Sequence, residues 1–177
     1  MADEPVVHVV DDDDAVRDSL AFLLETEGLT VRAYESALDL LDQVRGIETG
    51  CIVTDVRMPD MTGLELVARL KELGVALPVV VMTGHADVPL AIEAMKLGVV
   101  DFIEKPLSLE RILLAVSNSL RRRQLAAQMQ GEQRAAEIGI AALEQVLDQA
   151  QAPGRVEDIR LARGAVLAAL PFQQSGE

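Results

Sequence analysis

Residues 5–24 read PVVHVVDDDDAVRDSLAFLL and join the two patterns that decide the fold. The run Val6–Val10, which is apolar except for His8, is typical of a parallel strand that is covered on both faces. After four aspartates, Val16, Leu20 and Leu24 recur at helical spacing. A buried strand that leads directly into an amphipathic helix is the repeating unit of an α/β sheet.

Four further β-branched runs repeat this arrangement, and segments with helical spacing separate them. The runs are Leu29–Val31, Ile52–Thr54, Val79–Met82 and Val99–Ile103. Five strands that alternate with helices predict an α/β fold with a doubly wound parallel sheet. In such sheets ligands bind beyond the carboxyl ends of the strands, so we search for functional residues there.

The composition changes after Pro106. Residues 107–152 contain no proline, and Leu109–Leu120 have the apolar spacing of a fifth helix that packs on the sheet. The polar stretch Arg121–Gln124 is where we expect this helix to leave the domain. We therefore divide the chain into a domain, residues 1–120, and a C-terminal helical extension, residues 121–177. Within the extension, residues 132–170 have the pattern of a long helix that folds back on a shorter one.

Charge and composition exclude several classes of protein. The chain has 29 acidic and 16 basic residues, a net charge of −13, and residues 121–177 are neutral. Such a protein is repelled by phosphate backbones, so we do not expect it to bind DNA. A single cysteine cannot form an internal disulfide. The sequence lacks a signal-peptide pattern and an apolar run long enough to span a membrane, which predicts a cytoplasmic protein.

Acidic residues follow two of the predicted strands. Asp11 and Asp12 follow the first strand, and Asp55 follows the third. If these two strands are neighbours, the three carboxylates meet at one edge of the sheet. Carboxylates that lie close together resist joint ionisation, and Mg²⁺, which prefers one or two carboxylates with carbonyls and waters, relieves this repulsion. Taken singly, these aspartates also suit helix caps or ordinary turns.

A hydroxyl and a cation follow the other two strands of this edge. Thr83 ends the fourth strand and Lys105 ends the fifth. A carboxylate that accepts a phosphoryl group needs a metal ion and a cation to neutralise the charge on the phosphoryl oxygens. The joint order of these residues at four strand ends therefore indicates a phosphoryl-accepting site.

Three motifs carry a family resemblance over residues 5 to about 120. They are VHVVDDDDAVRDSLAFLL, VTDVRMPDMTGLEL and PVVVMTGHADVPLAIEAMKLGVVDFIEKPL. Together they resemble the receiver domain of bacterial two-component response regulators, in the FixJ-like branch. The resemblance implies a flavodoxin-like sheet of order 2-1-3-4-5 and phosphorylation of Asp55 by a histidine kinase.

The resemblance also implies a role for each residue of the site. Asp12 and Asp55 would bind Mg²⁺ directly, Arg57 through its backbone carbonyl, and Asp11 through a water molecule. Thr83 and Lys105 would bind the phosphoryl oxygens, with a cis peptide bond before Pro106.

A switch residue and an interface are implied as well. Phe102 would move inward as Thr83 is drawn to the phosphoryl group. The surface that changes would be a dimer interface that includes Ile92, Met95 and Lys96. The chain would act on no substrate beyond its own phosphorylation and dephosphorylation.

Several outputs remain open. FixJ-like regulators carry a DNA-binding domain of the LuxR type, which residues 121–177 do not resemble. We expect the extension to be a dimerisation arm of a homodimer, although it could instead fold back on its own receiver. The alternatives are a transcription regulator that binds DNA in an unfamiliar way and a phosphate sink for a shared kinase. A phosphatase of the haloacid-dehalogenase type, suggested by Asp11 and Asp13, lacks its downstream acidic pair.

Overall fold

The computed structural model describes residues 4–47, 49–85 and 88–150, with side chains as far as residue 145. Five strands alternate with five helices in this part of the chain, and a short 3₁₀ turn at Val44–Gly46 follows the second helix. In chain order they are β1 (Val6–Val10), α1 (Asp14–Thr26), β2 (Thr30–Tyr34), α2 (Ala37–Gln43), β3 (Cys51–Asp55), α3 (Gly63–Glu72), β4 (Val79–Thr83), α4 (Val88–Lys96), β5 (Asp101–Glu104) and α5 (Leu109–Ala150).

The strands form one parallel sheet of order β2-β1-β3-β4-β5, which confirms the predicted fold. Four strands end later than the runs that predicted them: β2 ends at Tyr34, β3 at Asp55, β4 at Thr83 and β5 at Glu104. The fifth strand begins at Asp101 rather than at Val99, because the Val99 N–H donates to the Ala94 carbonyl and closes the end of α4.

Helices cover both faces of the sheet and bury β1, β3 and β4 on both sides, whereas the edge strand β2 is largely exposed. One apolar core lies under α2, α3 and α4 and includes Leu40, Leu66 and Val81. The other lies under α1 and α5 and includes Leu24 and Ile112. Strands that are buried on both faces have nearly continuous apolar sequences, and the sequence patterns predicted this burial.

Helix α5 is longer than the predicted fifth helix. It runs as one helix of 42 residues from Leu109, through Gly131 and Gly139, to Ala150. Its last fully buried apolar residue is Val116, and Leu120 still packs partly buried against the core. The exposed large apolar residues beyond Leu120 are Leu125, Met129, Ile138 and Ile140.

The chain divides into two compact units, Met1–Gln124 and Leu125–Glu177. The division at residue 120 stays a prediction. The predicted turn at Pro153 and the apolar helix after it lie outside the described residues. None of the helices described is both long and apolar enough to cross a membrane.

A buried histidine lies in the middle of β1. His8 is 1% exposed, and its Nδ1 lies 3.0 Å from the Tyr34 hydroxyl. Its Nε2 is buried and has no hydrogen-bond partner. Burial lowers the pKa of His8 to about 4, with a smaller effect from the charge of Arg32. The folded protein therefore holds a neutral imidazole that the unfolded chain protonates near its ordinary pKa of 6.5.

We predict that this histidine makes the fold sensitive to acid. As the pH falls below 6.5, the unfolded chain binds a proton that the folded chain does not bind, so folding stability is lost between that pH and about pH 4. Between neutral pH and about pH 5, the wild type should lose about 2 kcal/mol more unfolding free energy than His8→Gln, which cannot titrate. Urea unfolding of both proteins at the two pH values measures this difference. Parallel losses in both proteins would contradict the prediction.

Candidate functional site

The site begins at Asp11, directly after β1. The residue is 1% exposed, and its Oδ1 accepts a hydrogen bond of 3.0 Å from the Asp13 N–H. Asp13 in turn caps α1, because its carboxylate accepts from the N–H groups of Ala15 and Val16. Asp11 therefore lies at the site, whereas Asp13 caps helix α1.

The second buried carboxylate belongs to Asp55, the last residue of β3. Its Oδ2 accepts a hydrogen bond of 2.7 Å from the Arg57 N–H, which fixes the side chain over the end of the strand. Since β1 and β3 are paired neighbours, Asp55 and Asp11 end side by side at the same edge of the sheet. The structure thus brings together two of the carboxylates that the sequence predicted there.

The Lys105 ammonium joins these two carboxylates. Its Nζ lies 2.7 Å from Asp55 Oδ1 and 2.9 Å from Asp11 Oδ2. The lysine follows β5, and its N–H donates to the Thr83 carbonyl with a distance of 2.7 Å, which continues the β4–β5 ladder past the strand end. The Lys105–Pro106 peptide bond is cis, as the resemblance implies.

Burial and charge oppose each other in this cluster. Burial raises the pKa of Asp55 above its usual value, although the hydrogen bond and charge of Lys105 work in the other direction. Burial alone would lower the pKa of Lys105, but its hydrogen bonds to Asp55 and Asp11 raise it overall. The ammonium therefore stays charged, and it compensates two buried carboxylates that would otherwise repel each other.

Thr83 lies at the same edge, as the last residue of β4. Its side chain is buried, and its hydroxyl donates to the His85 carbonyl at 3.0 Å while accepting from the His85 N–H at 3.2 Å. The hydroxyl is thus held by the loop after β4. A ligand at the strand edge would have to draw it out of these bonds.

A magnesium site fits the donors at this edge. Among the described side chains, no three His, Cys, Asp or Glu residues converge closely enough to hold a metal ion. Asp11 and Asp55 converge as a pair joined by Lys105, and Asp12 is exposed beside them. Two carboxylates suit Mg²⁺, which completes its octahedron with carbonyls and waters. The Asp12 carboxylate and the Arg57 carbonyl are the next donors along the chain.

The residues of the predicted switch and interface lie away from this edge. Phe102 is partly buried in β5 and packs against the core under α2, α3 and α4. On α4, Ile92, Met95 and Lys96 are exposed. The exposed apolar surface of α4 is available to a partner.

Two residues of the site escaped the sequence analysis. Arg17 Nη1 donates to the Asp11 carbonyl at 2.8 Å, and the same guanidinium pairs with Asp14. Gly63, the first residue of α3, packs so closely that a Cβ would lie 2.2 Å from the Asp55 carbonyl oxygen. The MTGLEL motif gave a signal for the glycine, since it places glycine at a helix start. No sequence signal marked Arg17.

The cluster can stabilise a dianionic phosphoryl group on Asp55. It offers a carboxylate oxygen as nucleophile, a fixed ammonium within hydrogen-bond distance of that carboxylate, and a buried hydroxyl nearby. These elements favour phosphoryl transfer, because catalysis of that reaction consists mainly of positioning and charge stabilisation.

Comparisons with known proteins agree with this geometry. The family described as response regulator receiver domain matches residues 7–117. The transcriptional regulatory protein FixJ of Azorhizobium caulinodans is 55% identical over 141 residues, which cover 78% of this chain and 66% of that protein. The crystal structure of FixJ-N superposes with a TM-score of 0.64 at 46% identity and covers 68% of this chain and 96% of that one.

A longer match is the low-resolution structure of the response regulator StyR. It has a TM-score of 0.77 at 30% identity and covers 94% of this chain and 92% of that one. The matches to three FixJ proteins span 66% of the relative's length or less. The FixJ-like resemblance stated from the sequence is confirmed.

We predict that Gly63→Ala destabilises the protein. The added Cβ would clash with the Asp55 backbone, and such overpacking typically costs about 1–3 kcal/mol of unfolding free energy. Gly46→Ala is the matched control, since a Cβ there meets no atom within 4 Å. Urea unfolding should show the loss for Gly63→Ala and little change for Gly46→Ala. Equal stabilities of the two variants would show that the close approach to Asp55 is unimportant.

Proposed function

This chain belongs to the response regulator receiver domain family, and we propose that it accepts a phosphoryl group on Asp55 from a histidine kinase. Response regulators are signalling proteins rather than metabolic enzymes, and their receivers characteristically use Mg²⁺. The observation that carries the proposal is the Lys105 ammonium, which lies between Asp55 and Asp11. It provides a positive charge next to a buried nucleophile.

The transfer forms one bond and breaks another. A carboxylate oxygen of Asp55 bonds to phosphorus as the bond from phosphorus to the kinase imidazole nitrogen breaks, and the imidazole leaves. Asp11, Asp12, Asp55 and the Arg57 carbonyl would hold Mg²⁺, which supplies charge to the phosphoryl oxygens when it is bound. The carboxylates position the metal's positive charge, and the Lys105 ammonium adds a second positive charge.

The switch follows from bonds that must be exchanged. The phosphoryl group on Asp55 competes with the Asp11 carboxylate for Lys105, because it carries more negative charge. The Thr83 hydroxyl exchanges its bond to the His85 carbonyl for a bond to a phosphoryl oxygen. This movement frees space at the end of β4 for Phe102, and the populations of the two states shift accordingly.

An apolar groove beside Lys105 offers a docking place for the kinase. It has a volume of about 440 Å³ and lies between α1 and the connection from β5 to α5. Leu23, Leu107 and Leu109 contribute to its lining, and Lys105 lies at its edge. A kinase helix seated there would lie next to Asp55. This placement supports the kinase as the phosphoryl donor.

The output that we propose is homodimerisation in the cytoplasm. The exposed apolar residues on α4 and on the later part of α5 would be removed from water by contact with a second copy of the chain. The extension, residues 121–177, serves as the dimerisation arm in this proposal. The names of the FixJ relatives favour DNA binding as a second candidate, which a gel shift at low salt tests.

We predict that Asp55→Asn abolishes phosphorylation by acetyl phosphate in the presence of Mg²⁺. Asparagine cannot form the acyl phosphate, whereas Asp42→Asn, which changes an exposed acid on α2, should be labelled like the wild type. Intact-protein mass spectrometry measures the bound phosphoryl group, and chelation of Mg²⁺ should prevent labelling of the wild type and of Asp42→Asn. Label on Asp55→Asn would mean that the nucleophile is another residue.

We further predict that Thr83→Ala and Lys105→Ala separate phosphorylation from dimerisation. Both variants keep the Asp55 nucleophile and should still be labelled, more slowly in Lys105→Ala because it loses a charge that stabilises the transfer, but they lack a group that responds to the phosphoryl oxygens. Couplings between sites typically correspond to about 5–150-fold in affinity, so label should tighten self-association of the wild type by at least about fivefold and leave both variants nearly unchanged. Light scattering across a concentration series gives these affinities. Wild-type tightening in either variant would exclude that residue from the switch.

A further inference from the structure

A second charged pair links β5 to α5, outside the phosphoacceptor site. Arg111 lies in the first turn of α5, and Asp101 is the first residue of β5. The guanidinium and the carboxylate form a bidentate ion pair: Nη1 lies 2.7 Å from Asp101 Oδ2, and Nη2 lies 2.6 Å from Oδ1. Charge-assisted bonds of this kind are shorter and stronger than neutral ones, and two parallel bonds fix the angle between the two groups.

The same carboxylate also holds the residue that we assign as the switch. The Phe102 N–H donates to Asp101 Oδ1 at 2.8 Å. One side chain therefore joins the backbone of Phe102 to the guanidinium of α5. A movement of Phe102 shifts the backbone to which Asp101 is attached. Because Arg111 is bonded to the Asp101 carboxylate, its guanidinium shifts as well.

The pair is more constrained than most surface ion pairs. The Asp101 side chain is 25% exposed, and hydrogen bonds from Arg111 lower its pKa despite the opposing effect of burial. The carboxylate is therefore ionised at neutral pH. The α5 helix also packs on the sheet through apolar residues such as Ile112 and Val116. Apolar contacts have no preferred direction, so the bonds between Arg111 and Asp101 set the orientation of the first turn.

We propose that Asp101 and Arg111 are positioning residues that transmit the state of Phe102 in β5 to helix α5. The inference rests on the proposed phosphorylation of Asp55 and adds the route by which it reaches the helix. When Phe102 moves inward, the backbone of β5 shifts and the Asp101 carboxylate shifts with it. The Arg111 guanidinium, which is bonded to that carboxylate, then moves the first turn of α5. Without the pair, β5 can switch while α5 keeps its resting orientation.

Hydrogen exchange of the full chain tests this route. The wild type and Asp101→Asn are compared with and without acetyl phosphate and Mg²⁺, and intact mass reports how much of each protein is phosphorylated. Asparagine can still accept from the Phe102 N–H, but it lacks the charge and the second acceptor oxygen that Arg111 grips. The variant thus keeps the local strand bond and loses the link to α5.

The exchange of two segments is compared. Residues 81–85 report the end of β4 at the site, and residues 112–120 report α5. In the wild type, phosphorylation should change the exchange of both segments. In Asp101→Asn, the change at residues 112–120 should be at least about fivefold smaller, while the change at residues 81–85 and the phosphoryl content should be retained.

Two more variants complete the experiment. Arg111→Lys keeps the positive charge but cannot make two parallel bonds, so it should behave like Asp101→Asn, and it replaces that variant if the latter does not fold. Arg121→Gln removes an arginine from an exposed position about three turns further along α5 and should behave like the wild type.

The outcomes separate this inference from the proposed function. Full-sized exchange changes at residues 112–120 in Asp101→Asn or Arg111→Lys would overturn the inference and leave phosphorylation untouched. A phosphorylated wild type whose α5 exchange does not change would overturn it as well. A wild type that takes up no phosphoryl group would overturn the proposed function itself, and intact mass identifies that case.

Discussion

The ammonium of Lys105, shared by the Asp11 and Asp55 carboxylates, is the interaction on which the rest of the site depends. Two buried carboxylates at neighbouring strand ends repel each other, and a buried unpaired charge costs several kcal/mol. The lysine compensates both, and it ties the end of β5 to the ends of β1 and β3 across the sheet. The parallel topology makes this possible, because it brings the carboxyl ends of distant segments to one edge.

The same interaction explains how a stable resting state can be sensitive to one covalent group. A phosphoryl group on Asp55 changes the charge that Lys105 faces, and the Thr83 hydroxyl, which the backbone of His85 holds at the end of β4, is a group that can respond. Phe102 and Asp101 lie next to each other on the neighbouring strand. The bonds of Asp101 with Phe102 and Arg111 thus link β5 to helix α5 in addition to the apolar packing.

Much of this could be predicted from the sequence, because its signals are local. Unbroken apolar runs marked the strands, and the residues at their ends marked Asp11, Asp55, Thr83 and Lys105. The rest depends on tertiary contacts that no local pattern records. The bonds from Arg17 to the Asp11 carbonyl and from Arg111 to Asp101 join separate elements. The length of α5 was also missed, because glycine costs a helix about 1 kcal/mol and still does not end it.

The most direct test of the account is to locate the phosphoryl group chemically. Borohydride reduces an acyl phosphate of aspartate to homoserine, which survives digestion and is identified by fragmentation of the peptide. After phosphorylation by acetyl phosphate with Mg²⁺, the account predicts homoserine at position 55 and aspartate at positions 11 and 12. Homoserine at position 11 or 12, with aspartate intact at 55, would contradict it.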